Sequence, residues 1–256
     1  MDNEQYIFFL DIDGTILHRG EISKADRDAI FRVRQAGHKV ILNTGRPLFG
    51  ISDDLKKLVP DGWVSNLGTC VIVDGKYLFT ETVPLCEWIE LFRDFTEKGY
   101  HFYIESDDLA VYNPNMKVMD RPNTLETIEQ LSERYPNEPF RKGVLIDRLP
   151  DAEREKLSER YSFCQHEHFA EFCSKGCSKA KGMQVVLDYY GIPKERCIAI
   201  GDSLNDLEML LAAGISVAMG NAVEEVKKSC DFVTRSVEAG GVAYVMERVL
   251  NHTFSF

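Results

Sequence analysis

The chain has 256 residues, 44% of them hydrophobic, and its 30 basic against 41 acidic residues leave a formal net charge of -11. This composition excludes a disordered, collagenous or fibrous protein, and the length fits one large α/β domain or two smaller ones, each able to bury a core. No basic block offsets the acid excess, so a nucleic-acid partner is not expected.

The opening stretch, MDNEQYIFFLDIDGT, is acidic and polar and has no apolar run beyond five residues. It reads as neither a signal peptide nor a membrane span, and a cytoplasmic protein is expected. Seven scattered cysteines suit buried free thiols better than a disulfide frame.

Tyr6 to Leu10 is an apolar run of strand length that stops at Asp11. A helix is expected from Ser23, with Asp26 as a capping-box-like partner, and Gly37 ends it. His38 to Asn43 predicts a second buried strand, Thr44-Gly45-Arg46 its exit loop, and Pro47 the first position of another helix. Val64 and Ser65 suggest a short strand, and Asp74-Gly75 marks a tight hairpin within Cys70 to Thr80. Strand alternating with helix is the parallel-sheet pattern.

Past Val83 the texture changes. A helix is expected from Leu85 to Lys98, with others near Thr124 to Arg134 and Asp151 to Arg160. Short strands are expected at His101 to Glu105, Leu109 to Asn113, Gly143 to Asp147 and Phe169 to Cys173. Polar His101, Tyr103 and Glu105 alternate with apolar Phe102 and Ile104, which predicts an antiparallel sheet with one open face. The parallel pattern returns with a helix from Lys179 to Tyr190, a strand at Cys197 to Ile200, the loop Gly201-Asp202-Ser203, a helix to Ala213, a strand at Ile215 to Ala218 and a last helix from Gly240 to Leu250. The fold class expected is α/β, a Rossmann-like parallel-sheet core (residues 1–82 and 175–256) with an inserted α+β cap (83–174).

In open parallel sheets, ligands sit beyond the carboxyl ends of the strands. The exits here carry Asp11-Ile12-Asp13, Thr44-Gly45-Arg46, Asn66, and Gly201-Asp202 followed by Ser203, Asn205 and Asp206. Two apart in extended backbone, Asp11 and Asp13 point the same way; four apart at a helix start, Asp202 and Asp206 share a face. Four carboxylates in one crevice repel unless they share a cation, and Mg²⁺ with oxygen ligands and a substrate phosphate is the common solution. Lys179 adds positive charge, and Thr44 adds a hydroxyl. Alone, an Asp-x-Asp after a strand is usually a cap or turn; it is the combination that points to chemistry.

The pieces Asp11-Ile12-Asp13-Gly14-Thr15, Asn43-Thr44-Gly45-Arg46, Lys179, and Gly201-Asp202-Ser203-Leu204-Asn205-Asp206 with Met209 resemble the four motifs of the haloacid dehalogenase superfamily of phosphatases. Ala218-Met219-Gly220-Asn221-Ala222, Asp231 to Thr234, and Gly241-Val242 resemble the tail of its Cof-like branch, which carries a type IIB α+β cap. The chain departs from the branch at Asn66-Leu67-Gly68, where Asn-Gly is usual, and at Ala239-Gly240-Gly241, where an acidic residue is usual before the glycine.

The resemblance implies a Mg²⁺-dependent phosphomonoesterase. Asp11 would be the nucleophile that forms an aspartyl-phosphate, and Asp13 the acid and then the base. Thr44 and Lys179 would hold the phosphoryl oxygens, with Asp11, Asp202, Asp206 and the Asp13 carbonyl around the metal. Gly45, Arg46, Ser203 and Asn205 would support the site, Asn205 orienting Lys179 or a phosphate oxygen. The cap would act as a lid, with His101, Tyr103, Glu105 and Glu171 as candidate specificity residues. The partner implied is a small phosphorylated metabolite, sugar phosphates first, then flavin mononucleotide or pyridoxal phosphate; neither membrane nor nucleic acid is expected, and the chain would be a monomer or weak homodimer. A sugar phosphomutase is the enzymatic alternative, and a non-catalytic phosphate-binding module the alternative from another class. His166, His168, Cys173 and Cys177 match no common zinc-ligand spacing.

Overall fold

A computed structural model describes residues 5–119, 121–166 and 168–253. In chain order its elements are β1 (Ile7–Leu10), α1 (Lys24–Gln35), β2 (Lys39–Asn43), α2 (Asp53–Lys56), β3 (Gly62–Ser65), β4 (Cys70–Val73), β5 (Lys76–Thr80), α3 (Leu85–Glu97), β6 (Phe102–Glu105), β7 (Ala110–Tyr112), α4 (Glu129–Arg134), β8 (Lys142–Leu145) and α5 (Asp151–Arg160). They continue with β9 (Tyr161–Gln165), β10 (Ala170–Ser174), α6 (Lys179–Tyr190), β11 (Cys197–Gly201), α7 (Leu207–Ala212), β12 (Ile215–Ala218), α8 (Glu224–Ser229), β13 (Phe232–Val233) and α9 (Gly241–Leu250). The chain forms two compact units, Met1–Gly45 with Ile51–Phe79 and Ser178–Phe256, and Arg46–Gly50 with Thr80–Cys177.

The first unit is built on an eight-stranded sheet in the order β13-β12-β11-β1-β2-β3-β4-β5. The first six strands in that order pair in parallel, and β4 runs antiparallel to β3. Its central strand, Ile-Phe-Phe-Leu, is buried at every position, as expected where both faces of a sheet are covered. From β1 the chain winds outward through β2 and β3, then returns to lay β11 on the other side. This reversal places the carboxyl ends of β1, β2 and β11 around one crevice. The Asp74-Gly75 turn has both residues at positive φ, 50° and 75°, as a two-residue hairpin requires.

The second unit holds a five-stranded antiparallel sheet, β7-β6-β8-β10-β9. Phe102, Ile104, Leu145, Ala170 and Phe172 on its strands share an apolar cluster with Trp88, Phe92 and Phe95 of α3 and with Leu131 and Leu157. The rings of Phe102 and Phe172 stack 5.7 Å apart at 4° over Gly143, where a Cβ would lie 2.7 Å from the Phe172 ring. The glycine is what allows these two rings to meet across β8.

Several expected elements differ. Pro47 opens no α-helix: Leu48–Gly50 is a single 3-10 turn, with α2 following after Ser52 caps it. The helix expected from Thr124 begins only at Glu129, because Pro122-Asn123 turns the chain with Asn123 at φ 62°. The edge strands β9 and β13 and the short α8 carry too weak a pattern to be seen in the sequence. Ser23 does cap α1 by accepting the Asp26 N–H, but the Asp26 carboxylate does not complete a capping box; it accepts from the Ser23 hydroxyl and from the Ala243 N–H of α9. All seven cysteines are free thiols, of which Cys70, Cys173, Cys177 and Cys197 are buried and Cys86 is exposed.

Candidate active site

Asp11 follows β1 directly. Its N–H donates to Ile200 of β11 at 3.0 Å, which fixes the carboxylate at the sheet edge, and the residue is only 4% exposed. After Asp11 the strand conformation stops. The N–H groups of Thr15, Ile16 and Leu17 all turn back onto the Ile12 carbonyl, so the alternation expected to align Asp11 with Asp13 does not continue. Asp11 is buried, and Asp13 is exposed on a turn.

Asp202 and Asp206 come together by a different route from a shared helix face. Residues 204–206 form a 3-10 turn, and α7 starts only after it. The Asp206 carboxylate folds back so that one oxygen, Oδ2, accepts the N–H groups of Asp202 and Ser203, each at 3.0 Å. Its other oxygen accepts from Lys179 Nζ at 2.6 Å. Gly201 makes room for this: a Cβ there would lie 2.6 Å from Asp206 Cγ. Ser203 donates its hydroxyl to Asn205 Oδ1 at 2.7 Å, so Asn205 is engaged within its own loop.

Lys179 opens α6, whose start is capped by Ser178 accepting the Lys181 N–H. Its ammonium is 1% exposed and bridges Asp11 Oδ1 at 2.5 Å and Asp206 Oδ1 at 2.6 Å. Burial works against its charge, but the two carboxylates outweigh that and hold its pKa above the ordinary lysine value. Thr44 is buried at the end of β2, with its N–H on the Val64 carbonyl. Asn43 beside it donates to the Lys179 carbonyl at 3.0 Å and so ties β2 to α6. Asn66 and Leu67 lie at φ 49° and 57°, followed by Gly68 at 84°. This left-handed turn packs against the start of the lysine helix, where a Cβ on Gly68 would lie 2.0 Å from the Ser178 carbonyl oxygen.

Carboxylate oxygens of Asp11, Asp202 and Asp206 lie within 4.8 Å of one another, the one such cluster among the described residues. Burial first, then the charge of Asp206, pushes the Asp202 carboxyl up to about 7 and raises Asp11 well above the usual carboxylate range. Three acids against one lysine leave the cluster short of positive charge, and its donors are all oxygen. That set fits a hard divalent cation. Asp206 has both oxygens committed, whereas Asp11 Oδ2 and Asp202 Oδ2 accept no protein hydrogen bond among the described residues.

Gly45, next after Thr44, belongs to the first unit, and the other expected residues lie in the second. Arg46 donates to the Gly50 carbonyl at 3.0 Å. His101 pairs with Asp147, Nδ1 to Oδ2 at 3.1 Å. Tyr103, Glu105 and Glu171 lie on the sheet face opposite the aromatic cluster, by the register that sets Tyr103 and Glu171 against Val144 and Glu105 against Lys142. Glu105 and Glu171 are 8% and 6% exposed, so this face is not the solvated one that alternation alone suggests. Between them sits Lys142, 2.9 Å from Glu105 and 2.6 Å from Glu171. Lys142 is not among the residues expected from the sequence; the signal for it is a lysine opening an otherwise apolar strand, Lys-Gly-Val-Leu. His166 bonds Glu171 at 3.1 Å rather than joining a zinc site with Cys173 and Cys177.

A Rossmann-like sheet with a buried aspartate cluster and lysine at its carboxyl edge, interrupted by an α+β insert, defines a phosphohydrolase of the phosphoaspartate type. The chain belongs to the haloacid dehalogenase-like hydrolases, whose family model matches residues 8–246, and carries a Cof-like cap. It is 30% identical over 277 residues to the 5-amino-6-(5-phospho-D-ribitylamino)uracil phosphatase YitU of Bacillus subtilis (strain 168), covering 100% of both chains. It is 27% identical over 281 residues to the phosphatase YwpJ of the same organism, covering 94% of this chain and 98% of that one. The solved structure of BT1666 from Bacteroides thetaiotaomicron, among the phosphatases of this superfamily, superposes with a TM-score of 0.82 at 26% identity over 96% of each chain.

Proposed function

We propose that this enzyme hydrolyses phosphomonoesters of small polyhydroxylated metabolites, sugar or sugar-alcohol phosphates, with Mg²⁺ as cofactor. The observation that carries the reading is the buried Asp11 carboxylate, anchored through one oxygen by Lys179 and clustered with the carboxylates of Asp202 and Asp206.

Asp11 attacks phosphorus, the ester P–O bond breaks, and Asp13 gives its proton to the departing alkoxide. Asp13, now a carboxylate, takes a proton from water as the water oxygen attacks the aspartyl-phosphate. The Asp11–phosphorus bond breaks, and phosphate leaves. Exposure suits Asp13 to this exchange, since its carboxyl must meet both the leaving group and water. Lys179 and Thr44 hold phosphoryl oxygens as charge develops on them. Asp11, Asp202 and the Asp13 carbonyl would hold the cation, with Asp206 behind them fixing Lys179 and the Asp202 backbone. The bound cation supplies charge neutralisation that lets a dianionic ester approach three carboxylates.

Substrate choice is assigned to the insert, residues 83–174. Tyr103, Glu105 and Glu171, with His101 and Arg46, are the candidate residues for that choice. The name of YitU, a phosphatase of a phosphorylated ribityl compound, supports a polyol in the leaving group. The test is phosphate release over a panel of phosphorylated metabolites, with and without Mg²⁺, with product analysis. Preferred release from sugar or polyol phosphates is expected. Full activity after exhaustive chelation would remove the metal assignment, and isomerised product without free phosphate would make the enzyme a mutase.

A further inference from the structure

We propose that Asn221 is a positioning residue for Asp13: its amide clamps the turn that carries Asp13 to the segment that follows β13. The proposal rests on the reading of Asp13 as proton donor.

Gly14, next to Asp13, has both of its peptide groups committed. Its N–H donates to the Leu17 carbonyl at 3.1 Å, and its own carbonyl accepts from Asn221 Nδ2 at 2.8 Å. The other end of the Asn221 amide, Oδ1, accepts the Val237 N–H at 2.8 Å. A carbonyl can only accept and an N–H can only donate, so these two partners allow one orientation of the amide. Thr15 adds a bond from its hydroxyl to Asp202 Oδ1 at 3.1 Å. The turn also has no room to shift toward Asp202. Gly14 sits at φ +82°, and a Cβ on it would lie 2.3 Å from Asp202 Oδ2.

Asp13 is exposed, and the turn that carries it sets how far its carboxyl can reach. Asn221, like Asp202 through Thr15, reaches this turn from far along the chain. It spans 207 residues of sequence to do so. Asn221 touches the turn rather than the reacting atoms; its effect runs through where the Asp13 carboxyl can reach.

The experiment compares Asn221→Ala, Asn221→Asp and Asp13→Asn on dinitrophenyl, p-nitrophenyl and phenyl phosphate, whose leaving groups need progressively more protonation. The quantity read is kcat/KM, which reports the step that breaks the ester bond. Asn221→Asp keeps the acceptor for Val237 and loses the donor to Gly14, setting a carboxylate oxygen against that carbonyl, while Asn221→Ala loses both bonds without adding charge. Both Asn221 variants should lose roughly tenfold on phenyl phosphate and less than about twofold on dinitrophenyl phosphate, because misplacing a catalytic group costs most where that group is needed. Asp13→Asn should tilt the series in the same direction and further. Equal losses across the series, or none, in the Asn221 variants while Asp13→Asn tilts it would overturn the proposal and leave the role of Asp13 standing. A series left untilted by Asp13→Asn would overturn both.

Discussion

The ammonium of Lys179 reaches back 168 residues along the chain to bond the Asp11 carboxylate at 2.5 Å. The same ammonium holds Asp206, so one cation, fixed at the start of α6, sets the position of the nucleophile and of the loop that follows β11. Lys179→Met should therefore damage both activity and stability. Two buried carboxylates would lose their counter-charge, a change that typically costs about 3–5 kcal/mol, and the loss of a phosphoryl contact should lower kcat roughly 10²- to 10³-fold. Calorimetric unfolding and steady-state kinetics of the variant check this. An unchanged melting temperature would show that the bridge is not a structural element.

Asp11→Asn should separate the two effects. The amide cannot form the acyl phosphate, so turnover and phosphoenzyme labelling should vanish. Stability of the metal-free protein should hold or rise, because burial and the Asp206 charge already disfavour ionised Asp11. Radiolabel trapping and thermal unfolding measure both, and a labelled variant would reassign the nucleophile.

The Asp202 carboxyl, raised from 3.8 to about 7 chiefly by burial and then by Asp206, links the metal to pH. Between those values the folded chain keeps a proton that the unfolded chain has lost, so this group makes metal-free stability fall as pH rises through the interval. Mg²⁺ competes with that proton. Its stabilisation of the protein should be larger at about pH 8 than at about pH 5, with proton release near neutrality. Melting shifts measured at both pH values test this, and equal shifts would sink it.

In the second unit, burial would lower the pKa of His166, but Cys164 and Glu171 outweigh it and raise it to about 9. The imidazolium thus contributes stability that is fully present below the ordinary histidine value and is lost as pH rises through about 9. An NMR titration should find His166 still protonated at neutral pH. In Glu171→Gln the midpoint should drop toward 6.5, the ordinary histidine value. The same substitution leaves Lys142 with Glu105 as its acidic neighbour and should lower the melting temperature.

Much of the core was written in local order. Ile7 to Leu10 is too apolar to lie anywhere but inside, and Asp11 ends it; Ser178 announces the helix that Lys179 opens; Asp74-Gly75 fixes a hairpin by backbone preference alone. Such signals are short-range, so composition and spacing carry them and the motifs could be read against a family. What the sequence could not determine was how residues far apart share their charges. Asp11 and Asp13 look equivalent at a spacing of two, yet the turn onto the Ile12 carbonyl buries one and exposes the other. Asp206 looks like a fourth metal ligand until its oxygens are found committed to Lys179 and the loop N–H groups. Lys142 looks like a surface cation until β6 and β10 bring Glu105 and Glu171 to either side of it. A local pattern records which residues a strand or turn prefers, whereas burial and pairing depend on which distant strand arrives beside it, and only the tertiary structure decides that.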